Sequence, residues 1–403
     1  MFETTTRKTC RICNYSDLQN IYSFGEMYVS NFVSSLKDDH ISAPLDLVYC
    51  NNCSLVQLKH TAPQELLYSK FYWYRSGVNE FMINSLKDIY NTIIDLKVLQ
   101  DDDIILDIGA NDGTLLNFFD KKKYITIGCE PAENLIKSLN NKCTYVIDDF
   151  WSNDVFNDLI TNKKTKNNKA KIITAIGMFY DLEDPNIFIS DIEKALDDDG
   201  VFIAQLMCLE SMLKTNDLGN ICHEHLEYYS FESLKYLYEK NGLEITNITK
   251  NSVNGESYRI FAKKLKKGSI KYKENTSLND ILSFVKNIEE IKKNLNKFIE
   301  TELKNNKKIF VYGASTKGNT ILQYFGIDNK KIPFAADRSP EKWGKYTVGS
   351  GIKIISEQEA RDQNPDYFLV LPWSFLDNFI ERENEWRKKG GKFIVPFPSL
   401  RII

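Results

Sequence analysis

Ile104-Ile105-Leu106-Asp107-Ile108-Gly109-Ala110-Asn111-Asp112-Gly113-Thr114-Leu115-Leu116 is an apolar run that breaks into a Gly-containing turn and reopens on leucines. Such a run marks a strand buried on both faces. Glycines in the turn let a ligand approach the backbone, and a helix opening there offers unpaired N–H groups. The order G-x-N-D-G departs from the G-x-G-x-x-G of nicotinamide dinucleotide sites. Its acidic side chains suit a cationic cofactor better than a diphosphate. Further apolar runs at residues 125–129, 172–176 and 201–206 alternate with helix-like stretches, which predicts a doubly wound α/β domain. Glu130 and Pro131 follow the second strand, where a carboxylate can take both hydroxyls of an adenosine ribose. Asp149 and Phe150 fall at a third strand end, where they could clamp an adenine.

On the N-terminal side, residues 77–99 carry Val78, Phe81, Met82, Leu86, Ile89 and Ile93 near helical spacing. Residues 1–65 show short alternating apolar runs and hold two knuckles, Cys10-x-x-Cys13 and Cys50-x-x-Cys53. Two knuckles supply four thiolates for a tetrahedral zinc with no open position, the pattern of a structural site. The gap between them requires an inserted hairpin or loop. On the C-terminal side, residues 161–171 read as a solvated loop, 263–273 as a basic linker and 277–304 as an amphipathic helix. A second strand–Gly-turn–helix unit begins at Lys308, and residues 332–336, 367–371 and 393–395 supply further strands. The C-terminal third therefore reads as a second, smaller α/β domain. Ser315, Lys317 and Asn319 in its turn resemble a phosphate cradle without the full NTPase order. Asp337 and Arg338 follow the next strand, where the polar group of a nucleotide would sit.

Cys222-His223-Glu224-His225-Leu226-Glu227-Tyr228-Tyr229 concentrates acids, bases and phenols. Glu224 or His225 suits general acid–base work; a His-x-His metal site and hydrogen-bonded structural histidines are the other readings. The aromatic stretch Phe71-Tyr72-Trp73-Tyr74 fits packing and ligand contact equally. A length of 403 residues calls for two or three domains, and a net charge of −3 argues against nucleic acid as partner. No stretch is apolar enough to span a bilayer, no export signal is visible, and eight cysteines are too few for a disulfide scaffold, so a cytoplasmic location is expected.

Together these blocks resemble the sugar C-methyltransferases of deoxysugar biosynthesis, which use S-adenosylmethionine to methylate nucleotide-linked 4-keto sugars. The resemblance runs nearly full length, through both knuckles, the D-I-G-x-N-D-G-T-L-L turn with its E-P, the H-E-H segment followed by Tyr-Tyr, and Y-G-A-x-x-K-G-N-T. It implies a small zinc-binding domain over residues 1–70 and a class I methyltransferase domain, doubly wound and Rossmann-like, over 71–265. A smaller Rossmann-like α/β domain over 266–403 would help hold the nucleotide sugar. Carried over, Asp107, Gly109, Asn111, Asp112, Gly113, Glu130, Pro131, Asp149 and Phe150 bind S-adenosylmethionine, and Cys10, Cys13, Cys50 and Cys53 hold structural zinc. His225 becomes the general base, Glu224 orients it or bonds the sugar, and Tyr74, favoured over Tyr72, lies near the reacting carbon. Tyr72, Tyr228, Ser315, Lys317, Asn319, Asp337 and Arg338 contact substrate.

The implied reaction is methyl transfer to a carbon, expected to be C3, of a 4-keto-6-deoxy sugar through a base-generated enolate, in deoxysugar or surface glycan biosynthesis. The family pattern often has a histidine after the fourth strand, where this chain has Asp181; that changes the charge beside the sugar. Two other readings stay open: an O-methyltransferase on a nucleotide sugar or glycan, and a zinc-containing binding protein on a degenerate methyltransferase fold. No nucleic acid, membrane or protein partner is expected.

Overall fold

Seven strands form the central sheet of the structure, a computed structural model that describes residues 4–37, 40–63, 67 and 72–403. They are β1 (Ile104–Ile108), β2 (Ile125–Cys129), β3 (Tyr145–Ile147), β4 (Ala170–Ile176), β5 (Leu196–Met207), β6 (Leu243–Asn251) and β7 (Ser257–Lys264). Their spatial order is β6-β7-β5-β4-β1-β2-β3. β1 to β5 run parallel, while β7 is antiparallel to both of its neighbours. Every residue of β1 is buried, as a strand covered by helices on both faces requires. The chain leaves β1 toward β2 on one side and returns to β4 on the other. A crevice therefore opens beyond the carboxyl ends of β1 and β4, where α/β sheets place ligands.

Helical periodicity is realised with shifted ends. Residues 76–78 form one 3-10 turn, and the α-helix proper runs Glu80–Asp95, with the Asn79 side chain accepting from the Phe81 N–H. Met82, Leu86, Ile89 and Ile93 are its buried residues. The polar run at 161–171 is less loop than expected: the helix Asn153–Lys163 enters it, and Lys164 closes that helix in the left-handed conformation. The basic run after Phe261 likewise begins inside β7.

The N-terminal strands Leu18–Tyr28, Ser42–Cys50 and Val56–Leu58 form an antiparallel sheet that takes a fourth strand, Glu227–Tyr228, from the central domain. The C-terminal sheet is built on Ile309–Tyr312, Phe334–Asp337, Tyr367–Val370 and Lys392–Val395, and Phe32–Val33 from the N-terminal region extends its edge. The helix Leu278–Lys304 starts on a capping box between Ser277 and Asp280 and buries Ile281, Phe284, Val285, Ile288, Ile291, Leu295 and Ile299. Each such side chain removed from water contributes roughly 2 kcal/mol before ordering costs. One apolar cluster runs through all three regions, from Ile12 and Leu47 through Leu106 and Phe179 to Val311 and Ile394. Among the described residues no helix is long and apolar enough to cross a membrane.

Candidate active site

The chain turns sharply after β1 because Gly109 adopts φ +69°, and a Cβ there would lie 2.8 Å from Met178 Cγ. The N–H groups of Gly109 and Ala110 both bond the Cys129 carbonyl, at 2.9 and 3.1 Å, which locks the turn to the end of β2. Asn111 follows in the left-handed region, φ +52°, and its N–H donates to Glu130 Oε2 at 2.9 Å. Glu130 Oε1 accepts from the Ala132 N–H at 2.9 Å, so the carboxylate is fixed by two backbone donors. Burial raises its pKa, and those two donors oppose the rise. Beneath the turn, burial pushes Asp107 up to about 7, although Thr174 donates to it at 2.6 Å.

Asn111 and Asp112 also hold the segment that precedes the first helix. Asn111 Oδ1 accepts from Ser76 N and its amide donates to the Tyr74 carbonyl; Asp112 Oδ2 accepts from Gly77 N at 3.0 Å. Gly77 is needed for this approach, since a Cβ would lie 2.4 Å from Asp112 Oδ2. Tyr72, Trp73 and Tyr74 are thereby laid across the crevice mouth. Trp73 Nε1 bonds Asn31 at 2.9 Å, and Arg75 pairs with Glu341 at 3.6 Å, so all three regions close on the same opening.

They enclose a cavity of about 1410 Å³. Gly109, Asn111, Glu130, Pro131 and Phe150 line one end; Tyr72, Tyr74, Asp181, Glu224 and His225 line the middle; Ser315, Lys317 and Trp373 line the far end. His225 is only 7% exposed, and its Nδ1 lies 2.8 Å from the Asn220 carbonyl. A carbonyl only accepts, so Nδ1 carries the hydrogen and Nε2 keeps a lone pair. Burial first, and then the Lys317 ammonium, hold the imidazole pKa down to about 3. Lys317 Nζ donates to Asn220 Oδ1 at 2.7 Å, and Asn220 Nδ2 donates to Asp217 at 3.1 Å. Asn220 thus sets the histidine and the lysine at once. Burial pushes the Glu224 carboxyl up, with the Cys222 thiol and Lys317 opposing. Burial, and then the carboxylates of Asp181 and Glu224, push the Tyr72 phenol well above its ordinary value and keep it a donor.

Other residues singled out in the sequence stand behind this wall. Asp112, Gly113 and Asp107 shape the turn from outside the cavity. Asp149 is exposed and contributes its carbonyl to the Cys129 thiol at 3.3 Å. Tyr228 is fully buried and donates to the His225 carbonyl at 3.1 Å, so it backs the histidine instead of facing a ligand. Asp337 accepts from the Ala314 N–H at 2.9 Å and sits 3.4 Å from Lys342, while Arg338 is exposed. Asn319 is 1% exposed, and neither atom of its amide finds a hydrogen-bond partner among the described residues. Tyr74, the phenol favoured for catalysis, is influenced by Asp112 on the cofactor-turn side, whereas Tyr72 is the one influenced by Glu224 and Asp181. Asn220 and Asp217 carried no sequence signal, being small polar residues in an unremarkable turn.

The two histidines of the H-E-H segment do not share a ligand: His223 bonds the Ala43 carbonyl at 3.0 Å, away from His225. The one metal-type grouping found among the described residues is Cys10, Cys13, Cys50 and Cys53, whose sulfurs lie within 4.8 Å of one another. Cys10 and Cys53 sulfurs are 3.5 Å apart, and Cys13 and Cys50 sulfurs 3.4 Å. A tetrahedral zinc with Zn–S near 2.3 Å needs edges of about 3.8 Å, so four thiolates fit it with no position left for water. Each knuckle is a tight turn, closed by Asn14 N to the Cys10 carbonyl and Ser54 N to the Cys50 carbonyl, both at 3.0 Å.

Comparison with known proteins matches three family models in order along the chain. These are a zinc binding domain over residues 10–68, a methyltransferase domain over 78–248 and a C-methyltransferase C-terminal domain over 260–398. The C-methyltransferase NovU of Streptomyces niveus is 26% identical over 412 residues, covering 98% of this chain and 96% of its own. Among solved structures, the magnesium protoporphyrin IX methyltransferase of Synechocystis PCC 6803 with bound S-adenosylmethionine is 10% identical. It covers 45% of this chain and 79% of its own, with a TM-score of 0.34. An S-adenosylmethionine-dependent methyltransferase of Clostridium acetobutylicum is 14% identical over 45% and 91%, with a TM-score of 0.32.

Two outcomes follow from this geometry. Cys50→Ser removes one sulfur of four and loses the zinc; metal content falls from one per chain to none, and stability drops by several kcal/mol, since structural zinc contributes on the order of 10 kcal/mol to small metal domains. If Glu130 takes the ribose hydroxyls, as the sequence predicts, Glu130→Gln weakens S-adenosylmethionine binding by about 2 kcal/mol, roughly thirtyfold, in calorimetry.

Proposed function

We propose, from the premise that the chain belongs to the S-adenosylmethionine-dependent C-methyltransferases with an N-terminal zinc-binding domain, that its acceptor is C3 of a nucleotide-linked 4-keto-6-deoxy sugar. The observation that carries this reading is the His225 ring. Its Nδ1–H is tied to Asn220, and its Nε2 lone pair has the cavity before it, between the cofactor turn at one end and Lys317 at the other. S-adenosylmethionine, when bound on Gly109, Asn111 and Glu130, supplies an electrophilic methyl group. A sugar carbon becomes a nucleophile only after losing a proton, and a ketone beside it takes up the electron pair.

In this reading His225 Nε2 accepts the C3 proton, and the Tyr72 hydroxyl donates to the oxygen that gains charge at C4. Tyr74 lies on the cofactor side and closes the methyl channel against water. Glu224 holds a sugar hydroxyl. Ser315 and Lys317, which line the far end of the cavity, receive the diphosphate, and Asn319 stays buried behind them. An anion on Lys317 also neutralises the charge that depresses His225, so substrate binding raises the basicity of the ring when it is needed. Asp181 borders the sugar and selects among sugars by charge. Residues 10–68 and 260–398 both reach the cavity, which a binding protein on a degenerate fold does not require. Deoxysugar or surface glycan synthesis is the setting such a product fits.

His225→Ala should lose about 10²–10⁴-fold in turnover and bind S-adenosylmethionine as wild type does; near-normal turnover would remove it as the base. Tyr72→Phe should lower turnover more than Tyr74→Phe, by at least about tenfold, with the substrate KM less changed. A histidine with a pKa near 3, below its unfolded value, stays neutral through the neutral range. The acid limb of kcat/KM assigned to it should therefore fall below pH 5, and a limb centred near 6.5 contradicts the buried ring. The same depression means that stability from this group is present above about pH 6.5 and declines as pH falls toward 3.

A further inference from the structure

Arg11 lies inside the first zinc knuckle, between Cys10 and Cys13, yet its side chain is completely buried and points away from the sulfurs. Its guanidinium donates to Gln57 Oε1 at 3.2 Å, to the Leu58 carbonyl at 2.5 Å and to Thr61 Oγ1 at 2.7 Å. Two carboxylates complete its surroundings: Glu183 at 3.4 Å and the fully buried Glu227 at 3.6 Å. Glu183 is two residues beyond Asp181, and Glu227 two residues beyond His225, so one buried cation faces both segments that form the middle of the cavity wall. Those segments are also bonded to each other, Leu226 N to the Tyr180 carbonyl at 2.7 Å and Glu227 N to the same oxygen at 3.2 Å. The Leu58 N–H bonds the Leu226 carbonyl at 2.9 Å, and Tyr180 packs edge-on against the His225 ring with centroids 4.6 Å apart.

We propose that Arg11 is a positioning residue, through which the zinc knuckle sets the place of His225 and of the Asp181 segment. The knuckle fixes the Arg11 backbone, and the guanidinium holds Glu183 and Glu227 in place. A guanidinium fork suits this task because five donors in one plane can bind several acceptors in fixed directions. An ammonium in its place would keep the charge and lose the geometry. Removing the cation leaves the fully buried Glu227 with no cation beside it, a strongly unfavourable arrangement, while Glu183 keeps Arg7 at 3.0 Å. The backbone of the 225–227 segment would then shift, and misplacing a base by about 1 Å costs on the order of a hundredfold in rate. The proposal rests on the reading of His225 as the base.

The test compares wild type with Arg11→Met, Arg11→Lys and the double variant Arg11→Met with Glu227→Gln. Zinc content, S-adenosylmethionine affinity by calorimetry, kcat and KM, and the histidine ring signals by nitrogen-15 NMR are read for each. With four histidines in the chain, the His225 ring can be followed individually. Arg11→Met should keep its zinc and its cofactor affinity while kcat falls about 10–100-fold, the range for residues that orient a functional group. Its His225 ring signals should shift from those of the Nδ1–H tautomer. Arg11→Lys should fall between, and the double variant should recover part of the lost turnover because the uncompensated charge is gone. Turnover within twofold of wild type in Arg11→Met, or a loss of turnover with unmoved His225 signals, overturns the proposal. Loss of zinc in both single variants overturns it too, since Arg11 would then only hold the knuckle together. Should His225→Ala prove active, the base assignment fails, whereas the NMR shift in Arg11→Met still reports the coupling itself.

Discussion

Two residues of strand, Glu227 and Tyr228, pair with Gln57 and Val56 of the N-terminal sheet, and the wall of the cavity that carries His225 depends on that register. Strand side chains alternate between faces, so a slip of one residue turns the whole segment over and carries His225 away from the cavity. The pairing is too short to hold by itself. It is fixed from one side by the zinc knuckles, whose second pair leads directly into Val56–Leu58, and from the other by the Tyr228 hydroxyl on the His225 carbonyl. The zinc-binding region is thus part of the scaffold of the cavity wall, although none of its four knuckle cysteines lines the cavity.

The cavity's chemistry follows from the cost of putting charge in a place with little water. Burial raises Asp107, Glu130 and Glu224 and lowers His225, each in the direction that disfavours the ionised form. Two polar groups of the cavity wall are anchored, Glu130 by two backbone N–H groups and Lys317 by the side chain of Asn220. A site of this kind is poised to change its protonation when a charged ligand arrives. In the proposed complex, ribose hydroxyls on Glu130 would favour its carboxylate, and a diphosphate on Lys317 would favour a more basic imidazole. Under the proposed function, binding and activation of the base would be one event.

Much of this was legible in the chain itself, because it rests on local chemistry. The Gly109 turn needs a positive φ and announces itself as a glycine after an apolar run. Four thiols in two tight knuckles need no tertiary knowledge to be read as a metal set, and the apolar stripe of Leu278–Lys304 fixes its buried face by periodicity. What escaped depends on contacts between distant segments. Asn220 is conspicuous only once Lys317, ninety-seven residues away, donates to it. Arg11 has no signal in the sequence, and its surroundings of Gln57, Glu183 and Glu227 exist only once distant segments meet. Phe32–Val33 joins the edge of the C-terminal sheet by a pairing that two residues cannot signal. The resemblance implies that Tyr228 contacts substrate, whereas its strand turns it into the core.

The most direct test of the account is proton exchange at the acceptor carbon. Enzyme, a nucleotide-linked 4-keto-6-deoxy sugar and S-adenosylhomocysteine are incubated in heavy water, so that no methyl group can be transferred, and deuterium at C3 is read by mass spectrometry. The account predicts wash-in at C3 with wild type and its loss with His225→Ala. Exchange that persists undiminished in His225→Ala, or no exchange with any 4-keto sugar that wild type goes on to methylate, would contradict it.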